Sequence, residues 1–361
     1  MRRKSVLALG SNTKNTVCFL SGDKALISPV HQNLYDPRDF LAFERTVKQF
    51  LKKKPATIAY DLHPEYASSK YALDLRPTAY DLRPIQHHHA HIAACMAENG
   101  ARNKKVIGVA YDGTGMGPDG HIWGAEFLVC DYKSFRRMGH LAEIPLLGFD
   151  QAIRQPWRLA AAWLYQVYGS AAFRLKTAAR KRIDTRNWRL LQRMHAGGLD
   201  YPSASSMGRL FDAVGFLVMG KPAVRFEGEL AVALEKLAAR HRQPVSGYQF
   251  KISQPGPARI IQPDLMFRQI LADLEAKRPG SEIARRFHWT VSQMTHDMCC
   301  LLRRATGIRR VALSGGVFQN KLLLSRVLDL LYKDDFEVLV HRKLSCNDSN
   351  ISLGQAVIAR H

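Results

Sequence analysis

The sequence predicts an α/β protein with two lobes, because one pattern of strands begins twice along the chain. In the N-terminal part, apolar runs at Val6–Leu9 and Val17–Leu20 flank a polar turn, and Thr57–Tyr60 follows a stretch of helical spacing at 39–52. The pattern starts again at Val106–Tyr111, which a glycine-rich turn joins to a second apolar run. Short apolar runs between turns predict strands, and strands mixed with helices predict an α/β fold.

The chain of 361 residues is long enough for two hydrophobic cores. We expect a first lobe at 1–104, completed by a C-terminal helix within 345–361. The second lobe is expected at 105–344. It carries an insertion at about 150–242, where the apolar spacing is mostly helical.

The chain is strongly basic, with 53 Lys and Arg against 31 Asp and Glu and a formal net charge of +22. Such a surface attracts anions, whether a nucleotide, a nucleic acid or an acidic partner protein. Part of the charge falls within one stretch of predicted helix, at Arg174, Lys176, Arg180, Lys181, Arg182, Arg186, Arg189 and Arg193. This stretch is either a solvated basic face or a docking patch for an acidic protein or RNA.

Other classes of protein are disfavoured by composition. No segment approaches the roughly 20 apolar residues that span a bilayer. The basic opening at 1–4 precedes an apolar run too short for a secretory signal, so a cytoplasmic location is expected. The six cysteines are scattered without a C-x-x-C pair, which argues against a zinc ribbon and against a disulfide framework.

The segment Gln86–His91 reads QHHHAH and is followed by good helix formers. His87 and His91 are four residues apart and would share one face of a helix. Two imidazoles at this spacing suit a divalent transition metal. A pairing of His88 with His91, or a polar run that only caps the helix, remains an alternative.

Two carboxylates are placed to complete such a metal site. Asp112 ends the first strand of the second lobe, and Asp348 lies between the last strand and a helix predicted at Ile351–Ala359. Carboxylates would fill open coordination positions and offset the charge of the metal. Asp348 can equally be a residue that caps the last helix.

Two glycine-containing turns are candidates for nucleotide contact. Gly113, Thr114 and Gly115 offer backbone N–H groups and a hydroxyl to phosphate oxygens. Gly315 and Gly316 follow a strand and precede a helix that begins near Asn320, which permits close approach to an adenosine or its α-phosphate. Neither turn has the dinucleotide or Walker A pattern, and each can be only a structural turn.

Further polar residues accompany these turns. Glu126, on the apolar run that follows the first turn, adds a carboxylate near that turn. Asp212 and Glu227 can accept hydrogen bonds from ribose hydroxyls, or can simply be acids exposed on helices.

Taken together, the motifs resemble the C-terminal transferase domain of the HypF carbamoyltransferase family, in the family's order and over nearly the whole chain. The segments that carry the resemblance are 14–16 (KNT), 61–66 (DLHPEY), 86–91 (QHHHAH), 111–115 (YDGTG), 122–126 (IWGAE), 154–158 (RQPWR), 206–212 (SMGRLFD), 314–320 (SGGVFQN) and 352–356 (SLGQA). Each segment alone is a weak signal, whereas the ordered set is specific.

The resemblance implies an actin/Hsp70/sugar-kinase-like fold (ASKHA), with a nucleotide between two α/β lobes, and kinship with TsaD and with antibiotic O-carbamoyltransferases. It implies that ATP and carbamoyl phosphate form carbamoyl adenylate, and that the carbamoyl group passes to the C-terminal cysteine of HypE during [NiFe]-hydrogenase maturation. It also implies an iron or zinc ion bound by His87, His91, Asp112 and Asp348. The predicted contacts to ATP, AMP or the adenylate, with magnesium, are Gly113, Thr114, Gly115, Glu126, Ser206, Gly208, Asp212, Glu227, Gly315, Gly316 and Asn320.

Lys14 and Arg154 are the predicted catalytic cations, which would stabilise anionic charge during transfer. The sequence has no match to the YrdC-like adenylating domain of full-length HypF, so we expect either an excised domain or a free-standing transferase. A YrdC-like domain or protein is then an expected partner, beside a HypE-like acceptor. Ala125 replaces a usual glycine, and Ser349-Asn350 replace a glycine pair beside Asp348. A TsaD-like enzyme acting on tRNA and a non-catalytic nucleotide-binding scaffold are the alternative functions.

Overall fold

The computed structural model describes residues 5–75, 80–198 and 200–361, so the basic opening at 1–4 lies outside it. The strands are β1 Val6–Ala8, β2 Thr13–Asn15, β3 Cys18–Ser21, β4 Lys24–Ile27, β5 His31–Asn33, β6 Thr57–Asp61, β7 Asp81–Ile85, β8 Val106–Tyr111, β9 Ile122–Cys130, β10 Phe135–Leu141, β11 Ile144–Pro145, β12 Ser203–Ser206, β13 Lys251–Ser253, β14 Arg259–Gln262, β15 Arg310–Ser314 and β16 Glu337–Leu339. The α-helices are α1 Pro37–Leu51, α2 Ala67–Asp74, α3 His87–Glu98, α4 Asp150–Arg154, α5 Trp157–Tyr168, α6 Ala178–Lys181, α7 Thr185–Ala196, α8 Met207–Met219, α9 Glu229–Arg240, α10 Asp264–Glu275, α11 Gly280–Thr306, α12 Lys321–Lys333 and α13 Ile351–Arg360.

The first sheet has the strand order β4-β3-β1-β6-β7 within the described residues. The fully buried β1 pairs antiparallel with β3, Leu7 opposite Phe19, and parallel with β6, Leu7 opposite Ile58. Sequence analysis did not predict β7, because its sequence DLRPI has no apolar run. Pro84 is tolerated there because β7 is an edge strand, whose outer N–H groups need no partner strand.

The second sheet contains the order β10-β9-β8-β15-β16, with β14 and β13 added beyond β10. Its central strand β8 pairs antiparallel with β9, Val109 opposite Phe127, and parallel with β15, Val109 opposite Leu313. The first sheet has the same arrangement. On one side of its central strand lie two strands that are joined by antiparallel pairing, and on the other side lie two strands that run parallel to it. The pattern that begins twice in the sequence therefore builds two sheets of the same topology.

Most of the segment 150–242 is helical, from α4 to α9, as its apolar spacing predicts. The exception is β12, which pairs parallel with β9, Ser205 opposite Trp123. Ser206 ends β12 and also caps α8, since its hydroxyl accepts a hydrogen bond from Arg209 N at 3.2 Å. The boundaries of the two lobes stay a prediction.

Two helices with almost entirely buried faces, α3 and α13, pack against each other. The C-terminal α13 also packs on β1 and β6 of the first sheet, whereas α3 packs on β8 and β15 of the second. The chain end is thereby joined to the helix that carries the histidine motif. In the part of the chain that is described, we find no helix with the length and apolar character needed to cross a bilayer.

The long helix α11 carries a fully buried histidine, His288, which contacts the start of α12. Its Nδ1 lies 2.7 Å from Ala284 O, and its Nε2 lies 2.9 Å from Asn320 Nδ2. A neutral ring satisfies both contacts, with Nδ1 donating and Nε2 accepting. Burial lowers the pKa of His288 from 6.5 to about 4, because the charged form would lose its hydration.

We therefore expect His288 to reduce stability in acid. Between pH 6.5 and about 4 the unfolded chain binds a proton at this residue and the folded chain does not, so the free energy of unfolding falls as the pH falls. The contribution by pH 4 is about 3 kcal/mol. Urea unfolding at pH 7 and at pH 4 measures this effect. From pH 7 to pH 4, the free energy of unfolding should fall by about 3 kcal/mol more in the wild type than in His288→Gln. An equal loss in both proteins would contradict the assignment.

Candidate functional site

The structure brings together the four side chains predicted to bind a metal. His87 and His91 stand on the first turns of α3, Asp112 directly follows β8, and Asp348 opens a 3₁₀ turn that leads into α13. His91 Nε2 lies 2.8 Å from Asp112 Oδ2 and 3.8 Å from Asp348 Oδ1. His87 Nε2 lies 3.7 Å and 3.9 Å from the same two oxygens. Four donor atoms from three distant parts of the chain thus converge.

The chemistry of this cluster fits a divalent transition metal. One ligand atom from each residue lies within 4.8 Å of all the others. His87 Nε2 is buried and, among the described residues, has no hydrogen-bond partner, although it faces the carboxylates. Two imidazoles and two carboxylates form a donor set of borderline hardness, which suits zinc or ferrous iron. The cluster can therefore hold a metal ion.

The outer nitrogens of both imidazoles are also held in place. His87 Nδ1 lies 2.8 Å from Asp61 Oδ2, and His91 Nδ1 lies 3.1 Å from Asn350 Oδ1. Oxygen acceptors at Nδ1 keep the proton on that atom and leave the Nε2 lone pair free for a metal. Sequence analysis missed both residues as parts of the site. The position of Asp61 at the end of a buried strand, like that of Asp112, was the signal for it.

The replacement of a glycine pair by Ser349-Asn350 does not displace Asp348 from the histidines. Asn350 instead adds a contact to His91, and its Nδ2 donates to Ser345 O at 2.9 Å. Asp348 is not the residue that caps the turn, because Asn347 Oδ1 accepts from Ser349 N at 3.1 Å. The carboxylate of Asp348 is thus left available to the cluster.

The other interpretations of the histidine motif are settled by its contacts. His88 Nδ1 lies 3.1 Å from Gln86 Nε2, and the His88 ring stands 6.5 Å from that of His91, against 5.0 Å between His87 and His91. Capping also occurs, since Gln86 Oε1 accepts from His89 N at 2.8 Å. Gln86 caps the helix, and the i,i+4 pair of His87 and His91 faces the carboxylates.

The charges in the cluster interact strongly. Burial lowers the pKa of His87, but the carboxylate of Asp61 outweighs it and holds this pKa well above its usual range. Burial likewise raises the pKa of Asp112, but the adjacent imidazoles of His87 and His91, of which His91 is hydrogen-bonded to it, hold this pKa well below its usual range. Burial and repulsion from Asp112 raise the pKa of Asp348 to about 6. A cation between these two carboxylates would relieve their repulsion.

Replacement of Asp61 by asparagine is expected to weaken metal binding by roughly 10- to 100-fold, because the variant removes the carboxylate that orients His87 and raises its basicity. Titration of the metal-free protein with zinc, followed by calorimetry, measures the change. Asp74→Asn, which alters an exposed acid at the end of α2, is the matched control and should bind as the wild type does. Unchanged affinity in Asp61→Asn would contradict this role.

A cleft with a cavity volume of about 210 Å³ opens beside the cluster, and Asp112 and Asp348 line it. Many of the residues predicted to contact nucleotide line the same cleft, as does the predicted cation Lys14: they are Gly113, Thr114, Gly208, Glu227, Gly316 and Asn320. Two of the predicted metal ligands, Asp112 and Asp348, therefore line one cavity with a large part of the predicted nucleotide contacts, whereas His87 and His91 face the two carboxylates from outside that lining.

Close packing at the glycine turns explains why these positions lack side chains. A Cβ at Gly316 would lie 3.1 Å from Asp112 Oδ1, and one at Gly113 would lie 2.3 Å from Glu227 Oε1. Gly315 has a φ of +101°, and its Cβ would lie 2.3 Å from Tyr111 O. Glycine is required at Gly315 both by its backbone conformation and by this contact.

The structure does not bring the remaining predicted residues to the lining of the cleft. Glu126 is buried and accepts from Arg137 Nε at 2.6 Å, and Gly115 packs against the ring of His88. Those outside the lining are Gly115, Glu126, Ser206, Asp212, Gly315 and Arg154. The side chain of Arg154 is exposed at the end of α4, and its carbonyl accepts from Val224 N at 3.0 Å.

Arg209 is a cleft residue that sequence analysis missed. It is buried on α8, and its Nη2 lies 2.9 Å from Glu227 Oε1 and 3.1 Å from Asp212 Oδ2. Among the described residues, its Nε and Nη1 have no hydrogen-bond partner. Burial raises the pKa of Asp212 to about 6 despite Arg209. The Asp212 carboxylate pairs with Arg209 outside the cleft lining, and an arginine within an apolar helical stretch was the signal for this pair.

Comparisons with known proteins agree with this architecture. Residues 108–355 match the family described as "Carbamoyltransferase, Kae1-like Domain, second subdomain", and residues 1–98 match the "HypF Kae1-like domain". "Carbamoyltransferase HypF2" of Cupriavidus necator is 34% identical over 98% of this chain and 46% of the relative. "Carbamoyltransferase HypF homolog" of the same organism is 34% identical over 98% of this chain and 91% of the relative.

A solved structure of full-length HypF, described as the phosphate- and nucleotide-bound form, superposes with a TM-score of 0.91. It is 39% identical to this chain and covers 99% of it, and the match spans 55% of that protein. The predicted α/β two-lobed fold is thereby confirmed. The chain spans about half the length of several curated relatives, such as that of Synechocystis, where the match covers 47%. The motif resemblance is confirmed, and the chain belongs to the HypF carbamoyltransferase family, in which it corresponds to the Kae1-like domain.

Proposed function

We propose that this chain transfers a carbamoyl group from carbamoyl adenylate to the C-terminal cysteine thiol of a HypE-like acceptor protein. The observation that carries the proposal is that His87, His91, Asp112 and Asp348 converge beside a cleft that Asp112, Asp348 and the glycine turns line. Membership of the HypF family supports the choice of carbamoyl chemistry.

The adenylate, or ATP with magnesium, binds in the cleft. Backbone groups at Gly113, Thr114 and Gly316 line it, where the absence of side chains lets phosphate oxygens approach. The partnerless N–H groups of Arg209 are further donors for an anion. A relative of known structure is described as phosphate- and nucleotide-bound, which supports a nucleotide as the ligand.

The residues of the cluster hold an iron or zinc ion at the reacting end of the cleft. When bound, the ion supplies Lewis-acid polarisation of an oxygen. Lys14 lines the same cleft and contributes positive charge near Asp348. Its ammonium group is suited to offset charge that develops on the leaving phosphate. Arg154 lies outside the cleft lining, so a role in transfer requires a conformational change that brings it to the cleft.

The transfer step balances without an internal nucleophile. The acceptor thiol loses its proton to solvent, and its sulfur forms a bond to the carbamoyl carbon. The bond from that carbon to the phosphate oxygen breaks, and AMP leaves with the electron pair. The cysteines of this chain do not line the cleft, which agrees with a nucleophile that comes from the acceptor.

The test supplies the whole protein with ATP, magnesium, carbamoyl phosphate and a HypE-like acceptor, with and without a YrdC-like adenylating protein. Mass spectrometry of the intact acceptor then detects a carbamoyl group, and Cys→Ala at the acceptor C-terminus is the control. We expect modification that requires the YrdC-like protein and the C-terminal cysteine. An unmodified acceptor under these conditions, with metal bound, would overturn the proposal.

The net charge of +22 supports a second acceptor, tRNA, as in a TsaD-like transferase. A parallel reaction with tRNA and the same donor distinguishes the two. Carbamoylated tRNA with an unmodified protein acceptor would favour the second function. Nucleotide binding without transfer to either acceptor would favour a scaffold.

A further inference from the structure

A second group of potential metal ligands lies on the far end of the α11–α12 pair. His296 and Cys300 are four residues apart on α11, and Asp334 directly follows α12. His296 Nε2 lies 2.9 Å from Asp334 Oδ2 and 3.5 Å from Cys300 Sγ. Cys300 Sγ lies 3.3 Å from the same oxygen of Asp334. An imidazole, a thiol and a carboxylate therefore meet, and none of these residues lines the nucleotide cleft.

These separations fit a single tetrahedral ion. Bond lengths of about 2.0–2.3 Å around zinc place two ligand atoms about 3.3–3.7 Å apart. The three donor atoms are within a few tenths of an ångström of that spacing. The spacing of His296 and Cys300 by one helical turn keeps both on the same side of α11.

The surroundings orient the imidazole as those of metal-bound histidines do. His296 Nδ1 lies 3.1 Å from Asp297 Oδ1, and Gln293 Nε2 donates to the same oxygen at 2.7 Å. A carboxylate at Nδ1 keeps a proton on that nitrogen and directs Nε2 towards Cys300 and Asp334. This carboxylate is the second feature, independent of the three ligands, that suits a metal site.

The group is open to solvent on one side. His296, Cys300 and Asp334 line a groove together with the edge strand β13 and Arg304. An ion can enter from this groove, and water or a side chain of another molecule can fill a fourth position. Arg303 Nη2 lies 3.9 Å from Asp334 Oδ2, so Arg303 offsets part of the negative charge of a thiolate and a carboxylate.

We propose that His296, Cys300 and Asp334 form a second metal site, which binds zinc and ties the C-terminal end of α12 to α11. Zinc displaces the thiol proton of Cys300 and the proton shared between His296 Nε2 and Asp334, and these protons go to solvent.

Cobalt(II) substitution of the whole metal-free protein separates the two sites. A thiolate bound to cobalt gives a strong near-ultraviolet charge-transfer band, and the first cluster contains no thiol. We expect the band in the wild type and in His87→Ala, and its loss in Cys300→Ser. Cys346→Ala is the matched control, because that thiol lies closer to the first cluster; it should retain the band.

Zinc counting by native mass spectrometry gives an independent readout. We expect two ions for each wild-type chain and one in either His87→Ala or Asp334→Asn. The zinc dissociation constant of the second site should rise at least about 100-fold in Asp334→Asn. A band that persists in Cys300→Ser, or a wild type without any band, would overturn the proposal. Neither measurement depends on carbamoyl transfer, so failure of the proposed function leaves this test intact.

Discussion

Replacement of His87 by alanine is expected to abolish metal binding at the first cluster and to lower carbamoyl transfer by at least about 100-fold. His87 Nε2 is buried, lacks a hydrogen-bond partner among the described residues and faces both carboxylates of the cluster. Without it, Asp112 and Asp348 retain only one imidazole. Metal content by mass spectrometry and initial rates of acceptor modification measure the two effects.

The matched control is His89→Gln, on the same helix. His89 is also buried, but its Nε2 contacts Asp131 O at 2.6 Å, away from the cluster, and a glutamine amide can donate to that carbonyl. The control should keep the metal of the first cluster and full transfer. Circular dichroism of both variants tests whether each remains folded. Full transfer by a folded His87→Ala variant would refute the site.

Replacement of Gly354 by alanine should give the largest loss of stability. Gly354 lies where α13 crosses α3, and a Cβ there would stand 1.8 Å from Ala90 O. Because a backbone carbonyl cannot move aside as a flexible side chain can, the two helices must separate. We expect the free energy of unfolding to fall by about 3 kcal/mol or more, measured by urea denaturation.

The displacement should also reach the metal cluster, since Ala90 lies between His87 and His91 on α3. We therefore expect Gly354→Ala to bind metal more weakly as well. Gly256→Ala is the control, because a Cβ at Gly256 meets nothing within 4 Å; its stability should change by less than about 0.5 kcal/mol. If Gly354→Ala were as stable as Gly256→Ala, Gly354 would not pack closely against the backbone of Ala90.

Several features of the fold followed from local pattern. The buried strands β1, β6 and β8 are short apolar runs bounded by turns, and α1 has regular apolar spacing. Such signals lie within a few neighbouring residues, so they can be read without the fold. The edge strand β7 carries no such signal, because its side chains are mostly not buried, and its pairing with β6 defines it.

The site likewise contains residues that local sequence predicted and contacts that only the tertiary structure creates. Residue spacing and the family resemblance predicted His87, His91, Asp112 and Asp348 as metal ligands, and each lies at the end of a strand or the start of a helix. Contacts across long stretches of chain were not readable in this way. His91 meets Asn350 and Arg209 meets Glu227 only because separate elements pack together.

By itself, the sequence determined the family, the order of the main elements and the residues able to bind a metal, since these depend on residue type and local spacing. Only the tertiary structure decided which of those residues face a common cavity. In the folded chain, Glu126 pairs with Arg137 and Asp212 pairs with Arg209. A buried carboxylate needs a cationic or hydrogen-bonding partner, and tertiary packing determines which partner is within reach.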